Sequence, residues 1–362
     1  MRIVHTESSL DWRGQEMRIL SEAQGLIGRG HEVLVLCPAQ SRIYAEAAAL
    51  QVPAVALPIA KKRPAGIRAL MDWLGVHRPD VVSTHSSTDA WLTALSLLVM
   101  GRPFPMVRTR HDSAPVPRNP ATRWLHVRAA GRIVTAGEIL KRELVERNRY
   151  PALRIDSVPT GMDPQRFRPG ERAQARLRLG LPQDGTLVGI VSGLRRSKGH
   201  RYLVDALAGL PAAIGLVIVG DGPERAPLEA RVDRLGLRSR VRFAGHQRDV
   251  LPWLHALDAF ALPCCADEGV PQALIQAMLA GLACVTTSNG GIPEIAKDGE
   301  TALVVPPRQV PALREALSRI LSDPSLAGRL GAAARAYCEP RYSRERMLDE
   351  MERIYREASG RR

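Results

Sequence analysis

Short runs of Val, Ile, Leu and Ala recur along this chain, bounded by Gly, Pro, Ser and Asp and separated by longer segments with helical spacing. In the first half the runs predict strands near residues 2–5, 32–36, 80–83, 106–109, 132–135 and 154–158. In the second half they predict strands near 187–191, 214–219, 240–243, 258–262, 283–286 and 302–305. A β–α alternation of this kind builds parallel sheets covered by helices on both faces. Proline, glycine and arginine collect between 159 and 182, which is the natural hinge between the halves. Met347, Met351, Ile354 and Tyr355 recur at helical spacing in the tail. The apolar run from Ala90 to Met100, interrupted by Thr93 and Ser96, is too short to cross a bilayer and predicts a buried helix.

Composition narrows the class. A chain of 362 residues has room for two domains with ample cores, and 45% hydrophobic residues argue against disorder. The chain starts on an expected strand, Arg2-Ile3-Val4-His5, so no secretory leader is expected. Cys37, Cys264, Cys265, Cys284 and Cys338 show no metal or CxxC spacing, so buried, reduced thiols of a cytoplasmic protein are expected. Formal net charge is +14, and its excess is uneven. Twelve Lys or Arg stand against four acids between Lys61 and Arg132, interleaved with Trp73, Trp91, Phe104 and Trp124. No nucleic-acid-binding motif accompanies them, so the expected anionic partner is a membrane surface rather than nucleic acid.

The candidate chemistry lies at predicted strand ends. The strand at 258–262 runs into Asp267-Glu268-Gly269-Val270-Pro271-Gln272 and then an apolar helix ending at Gly281. Pro271 suits the first helical position, and the N–H groups of Gln272, Ala273 and Leu274 are expected to point from the helix mouth. Gly269 allows a bulky anion close to the backbone, and Glu268 sits on the rim. Upstream, the strand at 187–191 runs into Leu194-Arg195-Arg196-Ser197-Lys198-Gly199-His200, with a helix expected near Tyr202. The strand after it ends in Asn289-Gly290-Gly291-Ile292-Pro293-Glu294. In open α/β sheets ligands sit beyond the carboxyl ends of the strands, so these loops can share one crevice. A diphosphate is the economical ligand. No Asp-x-Asp pair that would hold a metal ion is present. A dinucleotide site is excluded by the turn after the first strand, His5 to Gly14, which is not GxGxxG.

These fragments, with Arg29-Gly30-His31-Glu32-Val33, Val158-Pro159-Thr160-Gly161-Met162-Asp163 and Gly290 to Ile295, occur in an order that resembles the family-4 retaining glycosyltransferases. The resemblance implies an α/β, GT-B fold of two Rossmann-like domains facing across a cleft. It places an acceptor-side domain at 1–163, a nucleotide-sugar domain at 164–342, and a helix at 343–362 crossing back to the first. It implies glycosyl transfer with retention from a nucleoside-diphosphate sugar, without metal or other cofactor. The acceptor would be a glycan or lipid-linked molecule, in bacterial surface-polysaccharide or lipopolysaccharide assembly. The protein would then lie on the inner face of the cytoplasmic membrane.

Residue by residue, the resemblance assigns Arg195 and Lys198 to the donor diphosphate. The family's arginine usually stands where this chain has Gly193, which leaves Arg196 as the alternative to Arg195. Glu268 matches the first acid of the family's Glu–seven residues–Glu motif, but the second acid is Gln276 here. A glutamine brings no charge to ribose hydroxyls. Gly14, Gly269, Val270, Pro271, Gln272 and Gln276 fall around the donor, and His111 matches a histidine near the reacting sugar, with His85 at a similar strand end. Two other readings stay open: a nucleotide-sugar epimerase of this fold, and a nucleotide-sugar-binding protein without turnover.

Overall fold

The computed structural model of the protein describes residues 1–111 and 113–360. The chain divides into two units, Met1–Gly161 together with the segment from Arg344, and Met162–Ser343. The sequence suggests divisions at 163/164 and 342/343.

The first unit holds β1 (Arg2–Thr6), β2 (Glu32–Cys37), β3 (Ala54–Ala56), β4 (Val81–Thr84), β5 (Met106–Arg110), β6 (Arg132–Thr135) and β7 (Ile155–Ser157). They form one parallel sheet in the order β3-β2-β1-β4-β5-β6-β7. Successive residues such as Ile3, Val4, Val81 and Val82 are all fully buried, as strands covered on both faces require. The strand order reverses between β1 and β4, so their C-terminal loops part there and open a crevice. Strand β3 escapes sequence reading. It has only three residues, between Pro53 and Pro58, too few to show a period.

The second unit holds β8 (Thr186–Val191), β9 (Ile214–Val219), β10 (Val241–Gly245), β11 (Ala259–Leu262), β12 (Ala283–Thr287) and β13 (Leu303–Val305). Its parallel sheet runs β10-β9-β8-β11-β12-β13, with the reversal between β8 and β11.

The helix Arg344–Ser359 completes the first unit. It buries Met347, Leu348, Met351, Ile354 and Tyr355, each worth roughly 1.5–3 kcal/mol against exposure. It lies close against the helix Gly14–Gly28, where a Cβ at Gly25 would fall 2.4 Å from Leu348 Cδ1. Arg29 adds ion pairs to Glu345 at 2.6 Å and Asp349 at 2.8 Å, on the exposed side where such pairs contribute little.

Two expectations change. The apolar run forms the helix Ser87–Val99, yet Leu98 and Val99 are exposed while Thr93 and Ser96 are fully buried. Ser96 Oγ donates to the Leu92 carbonyl at 2.8 Å, which lets a polar side chain face the core. Trp73 and Phe104, read as part of a basic and aromatic surface, are core residues. All five cysteines are free thiols, and burial pushes Cys37 up to about 11 and Cys264 and Cys338 up to about 12. Among the described residues no helix is long and apolar enough to cross a membrane.

Candidate functional site

In the second unit, the loops after β8, β11 and β12 close on one another. Gly199, at φ +75°, lets the first loop lie against the second: a Cβ there would fall 1.8 Å from the Pro263 carbonyl oxygen. Cys265 N–H donates to the Ser197 carbonyl at 2.8 Å. Gly290, at φ +54°, presses the third loop onto the Glu268 backbone, where a Cβ would meet the Glu268 carbonyl oxygen at 2.2 Å. Gly291 N–H donates to that oxygen at 2.7 Å. Across this junction Lys198 Nζ meets Glu268 Oε2 at 2.5 Å, with both side chains about one-fifth exposed. A cation and a carboxylate are thus held at the sheet's switch point, within reach of solvent.

Its other members sort themselves by partner. Arg196 pairs with Glu224 at 3.0 Å, whereas Arg195 is exposed with no carboxylate partner among the described residues. Pro271 is extended at ψ 120° and caps the helix Gln272–Leu279, rather than occupying its first turn. Its carbonyl accepts from Leu274 N–H at 3.1 Å, so that donor does not face a ligand as the sequence suggests. Gln276 is half-buried on the same helix, with Nε2 3.6 Å from Met162 Sδ.

In the first unit, Gly14 opens the helix Gly14–Gly28, with Arg13 N–H donating to Glu16 Oε2 at 2.8 Å. The loops after β1 and β4 are tied by two buried acids. Asp89 accepts from Thr6 Oγ1 and the His85 and Ser86 N–H groups at 2.8–2.9 Å. Glu7 accepts from Ser9 N–H at 2.8 Å, and from Gln15 and Ser86. Burial, then the nearby Asp89 charge, pushes the Glu7 carboxyl up to about 7. His111 follows β5 and is half-buried. Its Nε2 lies 3.0 Å from His85 Nδ1, and His85 Nε2 lies 2.9 Å from His5 Nδ1. Burial holds all three imidazoles below their ordinary range, His85 and His111 well below it, with Arg18 and Arg108 adding to the effect on those two.

Comparison with known proteins places the chain in a family. The glycosyltransferase family 4 model matches residues 12–166, and the model of glycosyl transferases group 1 matches residues 185–323. The second span holds the whole Lys198–Glu268 junction, and the first holds the loop after β4 and His111 but begins beyond His5 and Glu7. The chain belongs to glycosyltransferase family 4. A 2-deoxystreptamine glucosyltransferase of Streptomyces kanamyceticus is 35% identical over 56% of this chain and 54% of that protein. A GDP-mannose-dependent alpha-(1-6)-phosphatidylinositol monomannoside mannosyltransferase of Mycobacterium tuberculosis is 35% identical over 52% of each. The chain therefore spans about half the length of these curated relatives. HepE of Anabaena, solved with UDP and glucose, superposes with TM-score 0.87 at 19% identity over 98% of each chain. That likeness is one of fold: two parallel α/β units of GT-B type.

For a family-4 member, sequence reading missed His5, Glu7 and Asp89. Asp89 carried a signal, since Ser86 three residues earlier makes a capping box at the helix Ser87–Val99. His5 and Glu7 carried none. They stand in and just after the first strand, and only the sheet order β1-β4-β5 brings them beside His85 and His111.

Proposed function

We propose that the protein moves a sugar from a nucleoside-diphosphate sugar to a glycan or lipid-linked acceptor, with retention and without a metal ion. The reading rests on the Lys198–Glu268 pair held between three strand-end turns. In it, Lys198 and Arg195 meet the donor diphosphate and stabilise the charge that grows there as the glycosidic bond breaks. Glu268 orients Lys198 and faces the donor sugar. The acceptor hydroxyl attacks from the face that the phosphate leaves, and the leaving phosphate takes its proton, so no paired carboxylates of the glycosidase kind are needed. The relatives' names mention glucosyl and GDP-mannose donors and one lipid acceptor, which supports the substrate class and leaves the base open. Surface-polysaccharide or lipopolysaccharide assembly, on the inner face of the cytoplasmic membrane, is the setting this reading carries.

A thermal-shift panel of nucleotide sugars tests it. A true donor binds only the native state and raises the melting temperature by mass action. Hydrolysis or transfer of the same sugar should follow. No shift with any nucleotide or nucleotide sugar would remove the proposal. Gln276 favours a second reading, binding without turnover. If Gln276 reaches the ribose, Gln276→Glu changes donor affinity with the fold intact. Titration curves that overlay those of the parent place it outside the site.

A further inference from the structure

The three histidines of the first unit form a chain whose hydrogen-bond sense can be worked out. It begins at the far end. Tyr355 Oη lies 2.6 Å from Glu22 Oε1 and 3.0 Å from Ser83 Oγ. Tyr355 has one proton, which burial and the Glu22 charge hold firmly on the phenol. A carboxylate can only accept, so Tyr355 donates to Glu22. The Ser83 hydroxyl must then donate to Tyr355 Oη, which leaves only lone pairs on Ser83 Oγ. His85 Nε2 lies 3.4 Å from that oxygen and 2.9 Å from His5 Nδ1. Only an N–H at His85 Nε2 satisfies the serine contact, and the same proton serves His5 Nδ1. A neutral imidazole with its proton on Nε2 has a bare Nδ1. The 3.0 Å contact from His85 Nδ1 must therefore be filled by an N–H on His111 Nε2. By the same step His111 Nδ1 carries no proton, and it makes no hydrogen bond among the described residues.

We infer that His85 and His5 are positioning residues that hold His111 as the Nε2–H tautomer, presenting its bare Nδ1 outward as a fixed acceptor for a substrate hydroxyl. The chain runs from solvent to the buried Arg18–Glu22 pair, whose groups are 3.7 Å apart and fully buried. Stacking keeps the rings in line: the centroids of His5 and His85, and of His85 and His111, are 5.2 Å apart with interplanar angles of 24° and 30°. The edge of the His5–Tyr355 pair closes the inner end. The groups surrounding it are Arg18 and Glu22 from the helix Gly14–Gly28, Arg108 and Arg110 from β5, Asp89 from the helix Ser87–Val99, and Tyr355 from the last helix. His5 Nε2 is the one ring nitrogen of the three that is buried without a partner among the described residues. It bears the proton that has nowhere to go, which is the cost of facing every other proton inward.

That the ligand offers a hydroxyl rests on the glycosyltransferase reading; the tautomer does not. The first arm is therefore independent of activity. Ring nitrogen NMR on protein labelled at histidine should show His85 and His111 as single Nε2–H tautomers, uncharged through pH 6. In His85→Phe, His111 should become a mixture of its two neutral tautomers. If His85→Phe does not fold, Ser83→Ala keeps the rings and removes only the group that sets the proton sense, so mixed tautomers are expected there. The second arm uses a donor the panel has identified. His5→Leu should lower kcat about tenfold with donor KM changed less than about threefold, and His5→Gln, which keeps an acceptor for His85, should restore most of it. An Nδ1–H tautomer at His111, or a tautomer indifferent to Ser83 and His85, overturns the inference whatever the activity. Failure of every donor with the Nε2–H tautomer confirmed would instead overturn the transfer reading and leave the chain standing.

Discussion

Lys198 and Glu268 illustrate how folding brings two distant residues into one pair. Seventy positions separate them, yet a left-handed glycine beside each sets their loops in contact. Lys198→Ala and Glu268→Ala should each lower turnover by roughly a hundredfold or more, the usual effect of losing a contact to developing charge. Steady-state rates near those of the parent in both variants would place the chemistry elsewhere. A neighbouring residue gives a pH prediction. His200, bonded to Ser192 Oγ at 3.1 Å, is held down to about 4 by burial and by the Lys198 charge. Below its ordinary value of 6.5 the unfolded chain gains a proton there that the folded chain refuses. Stability is therefore lost as pH falls from about 6.5 to about 4. His200→Gln should remove up to about 1.4 kcal/mol of that loss per pH unit. Glu7, pushed up to about 7, works in the opposite direction over part of that range. The comparison must therefore be between variant and parent, by urea melts at matched pH.

At the scale of elements, twelve of the thirteen strands among the described residues are legible in the sequence, because a strand buried on both faces leaves an apolar run. Helix ends are less so. Pro271 reads as a first-turn residue, but its carbonyl is needed by Leu274 and Ile275, and that makes it the cap. The helix expected near Tyr202 starts at His200 because Gly199 turns left-handed immediately before it. The candidate site is legible to the extent that each strand end carries its own residues. Contacts between strand ends are not, since sheet order and not chain order decides which loops are neighbours. Gly290 sits at such a contact. Gly290→Ala forces a side chain into left-handed backbone at about 1–2 kcal/mol and onto the Glu268 carbonyl. It should displace Glu268 and weaken donor binding in calorimetric titrations while melting stays cooperative. Unchanged donor affinity would show that the turn does not set the position of Glu268.

For the whole molecule, charge is the prominent feature. Lys61, Lys62, Arg63, Arg68, Arg102, Arg118, Arg123 and Arg128 are exposed on the first unit, with the apolar Val99 and Leu153 exposed as well. Trp91 and Trp124 are half-buried and stacked, with Lys62 above Trp91. The proposed peripheral membrane role would draw on these cations rather than on inserted Trp73 or Phe104. Sedimentation with anionic vesicles should show binding that salt weakens and that zwitterionic vesicles lack. Lys61/Lys62/Arg63→Ser should weaken it by up to about 1 kcal/mol per charge removed. Equal partitioning to both kinds of vesicle, or to neither, would exclude the role.

The return of the helix Arg344–Ser359 to the first unit also bears on how the protein is made. Chains emerge from the ribosome from the N-terminus, and domains generally fold as they appear. The second unit is one continuous segment and can close as soon as Ser343 is free. The first unit, although synthesised earlier, lacks Met347, Met351, Ile354 and Tyr355 until the end. Until then Glu22 and Ser83 wait without the phenol that joins them. The half that carries the histidine chain is the first to be translated and the last to be finished, so it is exposed longest to chaperones and proteases.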